Sequence, residues 1–305
     1  MKLLLPIAVL AALATAPLLA GGFVLDLLAR AMILGIAAVS LSLLVGGAGL
    51  VSLGHAAMFG VGAYTVATLD LMGYTNAVLV FPAALAAAAL VALLTGAVSL
   101  RTSGVHFIMI TLAFAQMVFF TVSALSALGG DDGYTIYART DWFGRAFLKD
   151  RTTFHLICLA TLTATWLICS AILDSHFGRV LRAARQNEQR VRALGFFPYP
   201  YRLAAYTIAG ALSGLAGALM ANASEFVSPA TLSWTRSGEL LFMVILGGAG
   251  RLYGAILGAL AIVLLEEYLS HWFEFWRLAF GPMLVLSVLF LRNGLAGLLD
   301  RRAHA

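Results

Sequence analysis

The sequence predicts an all-α polytopic membrane protein of about ten transmembrane helices (8–10), some of them broken or re-entrant, with both termini in the cytoplasm. Two observations predict this class. Of the 305 residues, 62% are apolar and only 11% are charged, whereas a soluble domain is about half apolar and a quarter charged. The apolar residues also fall in runs close to the roughly 20 residues that a bilayer crossing needs. This composition excludes a soluble enzyme, a disordered chain and a nucleic-acid-binding module.

Apolar runs bounded by polar residues, Gly or Pro are the candidate spans. They cover 3–20, 25–45, 50–72, 77–100, 105–128, 154–173, 203–222, 238–248, 252–269 and 278–291. The first resembles a signal peptide, but Pro17 would directly follow the cleavage site, so we expect a retained helix. The eighth is too short to cross unaided. It either begins earlier, in the polar stretch from Phe226, or is a half-helix bent at Gly247 and Gly248.

The positions of Lys and Arg predict the orientation of the chain. With ten crossings and the N-terminus inside, 12 of the 19 basic residues lie inside and 11 of the 14 acidic residues lie outside. Cytoplasmic segments of membrane proteins are enriched in Lys and Arg. We therefore expect one transmembrane domain, 1–305, with a periplasmic loop at 129–153 and a cytoplasmic loop at 174–202. Nine crossings would place the C-terminal arginines outside.

The cytoplasmic loop has the pattern of a short amphipathic helix. Asp174 or Ser175 can cap its start, and Gly195 can end it. Apolar residues recur between them at helical spacing, with arginines on the other faces; these apolar residues are Val180, Leu181, Ala184, Val191 and Leu194. Such a helix suits docking into a groove of a cytosolic protein. The alternative is a solvated basic loop whose arginines meet lipid headgroups.

Motifs of catalysis are missing from the sequence. No GxxxxGK[ST] loop occurs, so the chain does not bind ATP phosphates in that way, and energy must come from a partner or a gradient. The histidines are scattered, so we expect no catalytic residues and no metal site. Few ionisable residues fall within the spans, which argues against a proton relay; they are Asp26, Arg30, His55, Asp70, His106 and Glu239.

A glycine-rich stretch at 46–64 is the first candidate for a translocation path. Glycine breaks let the ends of half-helices point at a polar solute near the membrane midplane. We therefore place Ser52, Gly54 and His55 on the path. Tight helix packing is the alternative explanation of the glycines, and a hydrogen-bonded packing residue is the alternative for His55. Further candidates for the path are Gln116, Glu239, Gly247 and Gly248, although Glu239 could instead cap a helix or pair with a cation.

Five segments of the chain together resemble a known family. They read GLVSLGHAAMFGVGAYT at 49–65, RTSGVHFIMITLAFAQ at 101–116, GGDDG at 129–133, FGRVLRAARQNEQRVRALGFFPYPYRLAAYTIAGALSGLAGALMA at 177–221, and ELLFMVILGGAGRLYGAILGALAIVLLEE at 239–267. In their order and spacing they are similar to the LivM-type permease subunits of branched-chain amino acid ABC importers. The similarity extends over most of the chain from about residue 30.

This resemblance implies an importer subunit for branched-chain amino acids in the inner membrane of a bacterium. It implies a second, LivH-like permease subunit, two cytosolic ATPases that bind the ATP and Mg, and a periplasmic or extracellular solute-binding protein. This chain itself would need no cofactor. A related permease of the same family that carries urea or short amides, aromatic acids or sugars is an alternative. A gradient-driven carrier or channel that acts alone is another.

The resemblance also implies roles for particular residues. The family's loop contacts the ATPase, which assigns coupling to Phe177, Gly178, Arg179, Arg182, Arg185, Glu188 and Gly195. The family's Ser-Leu-Gly-His segment is matched by 52–55. One departure is that ABC importers often carry Glu-Ala-Ala three residues before the loop glycine, whereas here only Glu188, Ala193 and Gly195 match. The location of the contact is therefore better defined than its residues.

Overall fold

The computed structural model describes residues 4–19, 21–137, 139–141, 148, 150–272, 281–282 and 294–297. Most of the predicted tenth span, 278–291, lies outside these residues, as do the C-terminal arginines and part of the predicted periplasmic loop.

The described residues are almost entirely helical, which confirms the predicted all-α class. The α-helices are α1 Leu4–Leu19, α2 Gly22–Ser42, α3 His55–Leu71, α4 Ala77–Ser99, α5 Val105–Ser123, α6 Arg151–Asp174, α7 His176–Gln186, α8 Glu188–Ala193, α9 Pro198–Ser224, α10 Trp234–Gly247 and α11 Leu252–Trp272. A π-helix, Leu43–Ala48, continues α2, and short 3₁₀ turns occupy Ser126–Leu128, Gly130–Asp132 and Pro229–Leu232. Two-residue strands, β1 Tyr134–Thr135 and β2 Phe226–Val227, pair antiparallel.

Six helices of the described chain are long and apolar enough to cross a membrane: Gly22–Ala48, Ala77–Ser99, Val105–Ser123, Arg151–Asp174, Pro198–Ser224 and Leu252–His271. The eighth predicted span is α10, whose 14 residues extend about 21 Å, less than the ~30 Å hydrocarbon core. It is therefore the half-helix of the two alternatives. The third predicted span also changes, since its helix begins at His55 and 49–54 are not helical. The total of ten crossings stays a prediction.

Helix α2 is the centre of the bundle. In the apolar 18-residue part of its span 83% of the residues are buried, against 28% in that of α4 and 22% in those of α5 and α6. It packs against α6, α9, α10 and α11, while α3, α4 and α9 all pack against one another. The outward sides of α4 and α5 expose large apolar side chains such as Leu94, Met117 and Phe120. Such surfaces are stable where hydrocarbon, rather than water, is the solvent.

Glycines set how closely the central helices approach. A Cβ added to Gly62 of α3 would collide with the carbonyl oxygen of Gly214 in α9, and one on Gly217 would collide with the carbonyl oxygen of Phe59. Only a hydrogen atom fits at these positions, which is the usual basis of close helix packing in membranes. Tight packing therefore explains at least part of the glycine-rich stretch at 46–64.

The loops lie at two ends of the bundle, and the contacts between them show which loops share an end. At the β1 end, β1 pairs with β2, and the backbone N–H of Ala77 donates to Asp141 over 2.7 Å. At the α7 end, the loops around 43–54, 97–104, 174–198 and 248–251 meet; for example, the Tyr199 hydroxyl donates to the carbonyl of Ala97 over 2.8 Å. The described α7 end has eight arginines and two carboxylates, Asp174 and Glu188. Most of the described arginines therefore lie at one end of the bundle, which is the kind of asymmetry that the positive-inside pattern describes.

Proline accounts for the contact between α1 and α6. Pro17 lies inside α1 and has no N–H, so the carbonyl of Leu13 loses its partner within the helix. The Nε2–H of His155, a fully buried residue of α6, donates to this carbonyl over 2.9 Å. The other ring nitrogen of His155 is buried without a hydrogen-bond partner. One imidazole therefore satisfies the carbonyl that the proline leaves free.

Candidate translocation and coupling site

Helix α3 begins inside the protein, and side chains from its neighbours satisfy its first backbone groups. The N–H of Gly54 donates to the Ser52 hydroxyl over 3.2 Å. The N–H of Leu53 donates to Thr111 of α5 over 3.3 Å, and that of Ala56 donates to Ser237 of α10 over 3.0 Å. Without such partners, free N–H groups at a helix start away from water would be costly. These hydroxyls explain how the chain can break and restart at 49–54.

His55 is the first residue of α3, and only 1% of its surface is exposed. Its Nε2 lies 2.8 Å from the hydroxyl of Ser40, which itself donates to the carbonyl of Ala37 over 2.8 Å. The side chains of His55 and Ser40 thus share a buried hydrogen bond that joins the start of α3 to α2. The carbonyl of His55 accepts from Ser213 of α9 over 3.3 Å. In this conformation His55 is thus a hydrogen-bonded residue of the protein interior.

Ser52 and Gly54 share this buried environment. The Ser52 hydroxyl lies 3.5 Å from that of Tyr206, and a Cβ on Gly54 would come within 2.9 Å of the carbonyl of Thr111. The structure therefore brings Ser52, Gly54 and His55 together between α2, α5, α9 and α10. Their role on a translocation path stays a prediction.

The remaining path candidates lie elsewhere. Gln116 is half-buried on α5. Glu239 pairs with Arg236 one turn earlier on α10, with 2.6 Å between the carboxylate oxygen and the guanidinium nitrogen. Of the alternatives for Glu239, pairing with a cation is therefore the one that the structure shows. Gly247 packs against the backbone of Gly254 in α11, and Gly248 has a φ of 118° at the turn between these helices. These two glycines thus form the turn between α10 and α11, whereas Gln116 lies on α5.

Charged residues near the ends of the spans are held in ion pairs at the β1 end. Arg30 of α2 lies 3.5 Å from Glu266, Arg151 lies 3.6 Å from Asp26, and Arg139 pairs with Glu225. The last two pairs and Arg30 line a cavity of about 500 Å³. Asp70 accepts from the hydroxyl of Tyr134 over 3.2 Å and from the N–H of Tyr137 over 3.1 Å. Structural pairing therefore accounts for several of the few ionisable residues in the spans, which further weakens a proton relay.

The predicted amphipathic helix at 174–195 proves to be two helices. Ser175, not Asp174, caps α7 by accepting from the N–H of Gly178. Asn187 interrupts the helix in an extended conformation, with φ −157° and ψ 103°, and its side chain caps α8 by accepting from the N–H of Arg190 over 2.9 Å. An Asn side chain competes with helical hydrogen bonds in this way, which explains the break. Gly195, with a φ of 86°, ends α8 as predicted.

The apolar stripe of this segment is used inside the protein. Val180, Ala184 and Val191 form a small cluster against Tyr201 of α9, and Leu181 is fully buried. The prediction that this stripe is free to dock a cytosolic protein is therefore wrong. Leu194 is the exception, since it is 71% exposed, and Phe197 beside it is 75% exposed. Phe197 was not among the predicted coupling residues, although two consecutive phenylalanines before Pro198 in a polar loop are a recognisable signal.

The predicted coupling residues other than Arg185 and Gly195 occupy three environments. Phe177 packs on Tyr201 with ring centroids 5.4 Å apart, and a Cβ on Gly178 would collide with the end of α6, so both fix the turn between α6 and α7. Arg179 and Arg182 are exposed on α7. Glu188 pairs with Arg192 at 2.6 Å and with Arg202 of α9 at 2.8 Å. Burial raises the pKa of Glu188, but the hydrogen bonds and charges of the two arginines outweigh it and hold the pKa below its usual range.

Arg185 differs from the other arginines of α7. Its guanidinium donates to the carbonyl of Gly46, in the π-helix, over 2.5 Å. Its aliphatic stem lies over Gly49, where a Cβ would come within 2.7 Å of the Arg185 Cγ. Arg185 therefore joins the 174–202 loop to the glycine-rich segment that leads to His55.

Within the described ranges, no group of three or more His, Cys, Asp or Glu side chains could hold a metal ion. The site thus consists of helix ends, hydroxyls and arginines.

Known proteins resemble this chain over most of its length. Residues 23–291 match the family described as the permease component of the branched-chain amino acid transport system. The high-affinity branched-chain amino acid transport system permease protein LivM of Escherichia coli (strain K12) is 29% identical over 293 residues, covering 88% of this chain and 69% of that protein. Its Salmonella typhimurium counterpart is 28% identical over the same shares.

A more distant relative comes from Methanocaldococcus jannaschii. A probable branched-chain amino acid transport permease protein LivH is 28% identical over 206 residues, 62% of each chain. No solved structure matches the chain significantly.

Proposed function

The chain belongs to the family of branched-chain amino acid transport permease components, and we propose on this premise that it is the membrane-spanning subunit of an ATP-driven importer. It acts as a transporter subunit, and ATP and Mg are bound and used by two separate cytosolic ATPases. A second permease subunit, LivH-like, completes the pore, and similarity to both LivM and LivH proteins supports such a pair.

The basic surface of α7 carries the proposal. Its apolar side is buried against this chain, while Arg179 and Arg182 are exposed at the arginine-rich end. A helix that is fixed on one side and charged on the other is suited to transmit force from a partner. The exposed Leu194 and Phe197 add an apolar patch next to the arginines. We assign the ATPase contact to this combined surface.

Orientation follows from the same charges. The α7 end faces the cytoplasm, both termini lie on that side, and the β1 end faces outward, where a periplasmic or extracellular solute-binding protein delivers the solute. The chain resides in the inner (plasma) membrane of a bacterium and crosses it about ten times.

Movement of the ATPases is the proposed source of alternating access. When the ATPases close on ATP, α7 and α8 shift together with the ends of α6 and α9. Because the hydroxyls around 52–55 come from α5, α9 and α10, any separation of these helices exposes Ser52, Gly54 and His55. Those residues then line the path for the solute.

Leucine, isoleucine and valine are the proposed solutes, on the strength of the names of the relatives. The direct check is the ligand specificity of the partner binding protein, measured by calorimetry. Poor binding of all three amino acids would remove the substrate assignment and leave the architecture.

Charge reversal tests the ATPase contact. We expect Arg182→Glu to abolish co-purification of the ATPases with the permease, because a basic surface would gain a repulsive charge. Arg101→Glu is the matched control, since Arg101 is exposed at the same end but lies in another loop. Retention of the ATPases by both variants would contradict the assignment of α7 as their docking surface.

A further inference from the structure

We propose that Arg185 is a positioning residue that transmits movement of α7 to the start of α3, rather than a contact of the ATPase. This inference rests on the proposed function and deepens it, because it assigns the physical connection between the coupling segment and the residues placed on the path.

The end of the π-helix provides the acceptor for Arg185. The last carbonyls of any helix have no partner within it and form the negative end of its dipole. At this end the N–H groups of Gly49 and Leu50 both return to the carbonyl of Leu44, which leaves the carbonyl of Gly46 open to the guanidinium. A charged donor on such a carbonyl forms a strong hydrogen bond. Arg185 therefore holds the π-helix through the carbonyl oxygen of Gly46, which is open to a hydrogen-bond donor.

Glycine makes this approach possible. Gly49 has a φ of 71°, a left-handed conformation that favours glycine, and lacks the Cβ that would push away the Arg185 stem. Gly46 lies against the backbone of Gly250, where a Cβ would come within 2.8 Å of the Gly250 Cα. Gly47 lies against Leu173, near the end of α6. The π-helix is thus enclosed by α6, by α7 and by the turn between α10 and α11.

The chain between Gly46 and His55 can pass a displacement onward. Leu50 is anchored to Leu44, and Ser52 is held by the N–H of Gly54 and lies beside Tyr206. Leu53 is also held, because its N–H donates to the Thr111 hydroxyl of α5 over 3.3 Å. We therefore expect a displacement of Gly46 to reach the His55–Ser40 hydrogen bond, whereas Arg182, which is exposed on α7, makes no hydrogen bond to the π-helix among the described residues.

Hydrogen exchange of the purified full-length chain tests the connection without transport. We expect Arg185→Gln to speed exchange of the backbone amides at 46–55 by about tenfold, the size expected from losing a hydrogen bond to a charged donor. Arg185→Lys, which keeps the charge and can donate one hydrogen bond, should restore part of the protection. Arg182→Gln should leave exchange at 46–55 at the wild-type rate. Equal exchange in the wild type and Arg185→Gln would overturn the inference.

Transport by the reconstituted importer separates this role from ATPase binding. Arg185→Gln should retain the ATPases and their hydrolysis but import about tenfold fewer solute molecules per ATP, whereas Arg182→Gln should lose affinity for the ATPases. If Arg185→Gln imports as many solute molecules per ATP as the wild type does, the inference about Arg185 is refuted and the proposed function stands. A wild-type permease that neither binds ATPases nor imports solute would refute the proposed function, and the exchange experiment would still decide whether Arg185 fixes 46–55.

Discussion

The hydrogen bond between His155 and the carbonyl of Leu13 exists because Pro17 lacks an N–H. Replacing His155 with Phe keeps a ring of similar size and leaves that buried carbonyl without a donor. An unsatisfied buried polar group costs about 1–3 kcal/mol. Removal of the buried, unpartnered Nδ1 offsets part of this cost. We therefore expect a loss near 1 kcal/mol in the free energy of unfolding.

A double-mutant cycle isolates the proline effect. Pro17→Ala restores the N–H that can bond to Leu13 within α1, so His155→Phe should cost much less in that background. The expected coupling energy is about 1 kcal/mol, within the range for residues that share one network. The same substitution at the exposed His106 is the control and should leave stability close to that of the wild type.

Thiol labelling can follow unfolding in this chain. Its two cysteines, Cys158 and Cys169, are both fully buried in α6, so a thiol-reactive fluorophore reports the loss of packing around the helix that contains His155. A loss of 1 kcal/mol corresponds to a shift of about 2 °C in Tm for a chain of this length. If His155→Phe lowers Tm by the same amount in the wild type and in the Pro17→Ala variant, the proline explanation of this contact is wrong.

Three further substitutions test packing and the α7–α8 segment. Gly217→Ala should destabilise the chain by about 2 kcal/mol or more, because the new Cβ collides with the α3 backbone, whereas Gly238→Ala meets open space and should be neutral or stabilising in the same thermal assay. Asn187→Ala removes the cap of α8 and should cost about 1 kcal/mol of local stability, seen as faster exchange at 188–193. Glu188→Gln should loosen α8 at neutral pH, seen as faster amide exchange than in the wild type. Because the folded-state pKa of Glu188 is lowered, this difference in exchange should vanish as the pH falls through that pKa. A difference that does not depend on pH would contradict the ion pair.

Composition and charge predicted the class of fold and the sorting of arginines to one end, because both follow from the solvent around each segment. The boundaries of α4 and α6 were also close to the predicted spans, whereas α9 begins at Pro198, before the predicted start at 203. The positions at which a helix is interrupted inside an apolar run were harder to predict. The restart of α3 at His55 depends on hydroxyls from α5 and α10, which are distant in sequence and leave no local signal.

The 174–195 segment shows a similar division. Its location, its start at 174–175 and its end at Gly195 follow from local capping chemistry, which a sequence displays. The sequence does not show what covers the apolar stripe, because an amphipathic helix buries that stripe equally well against its own chain or against a partner. The Arg185–Gly46 contact joins residues 139 positions apart, and only the packing of α7 on the π-helix reveals it.

Uptake of labelled leucine into proteoliposomes tests the proposed importer most directly. The vesicles would contain this chain with its partner permease and ATPases, and the binding protein would be supplied on the outer side. We expect uptake that requires ATP, the ATPases and loaded binding protein together, and none by this chain alone under a proton or sodium gradient. Uptake by the lone chain driven by such a gradient would contradict its role as a subunit of an ATP-driven importer.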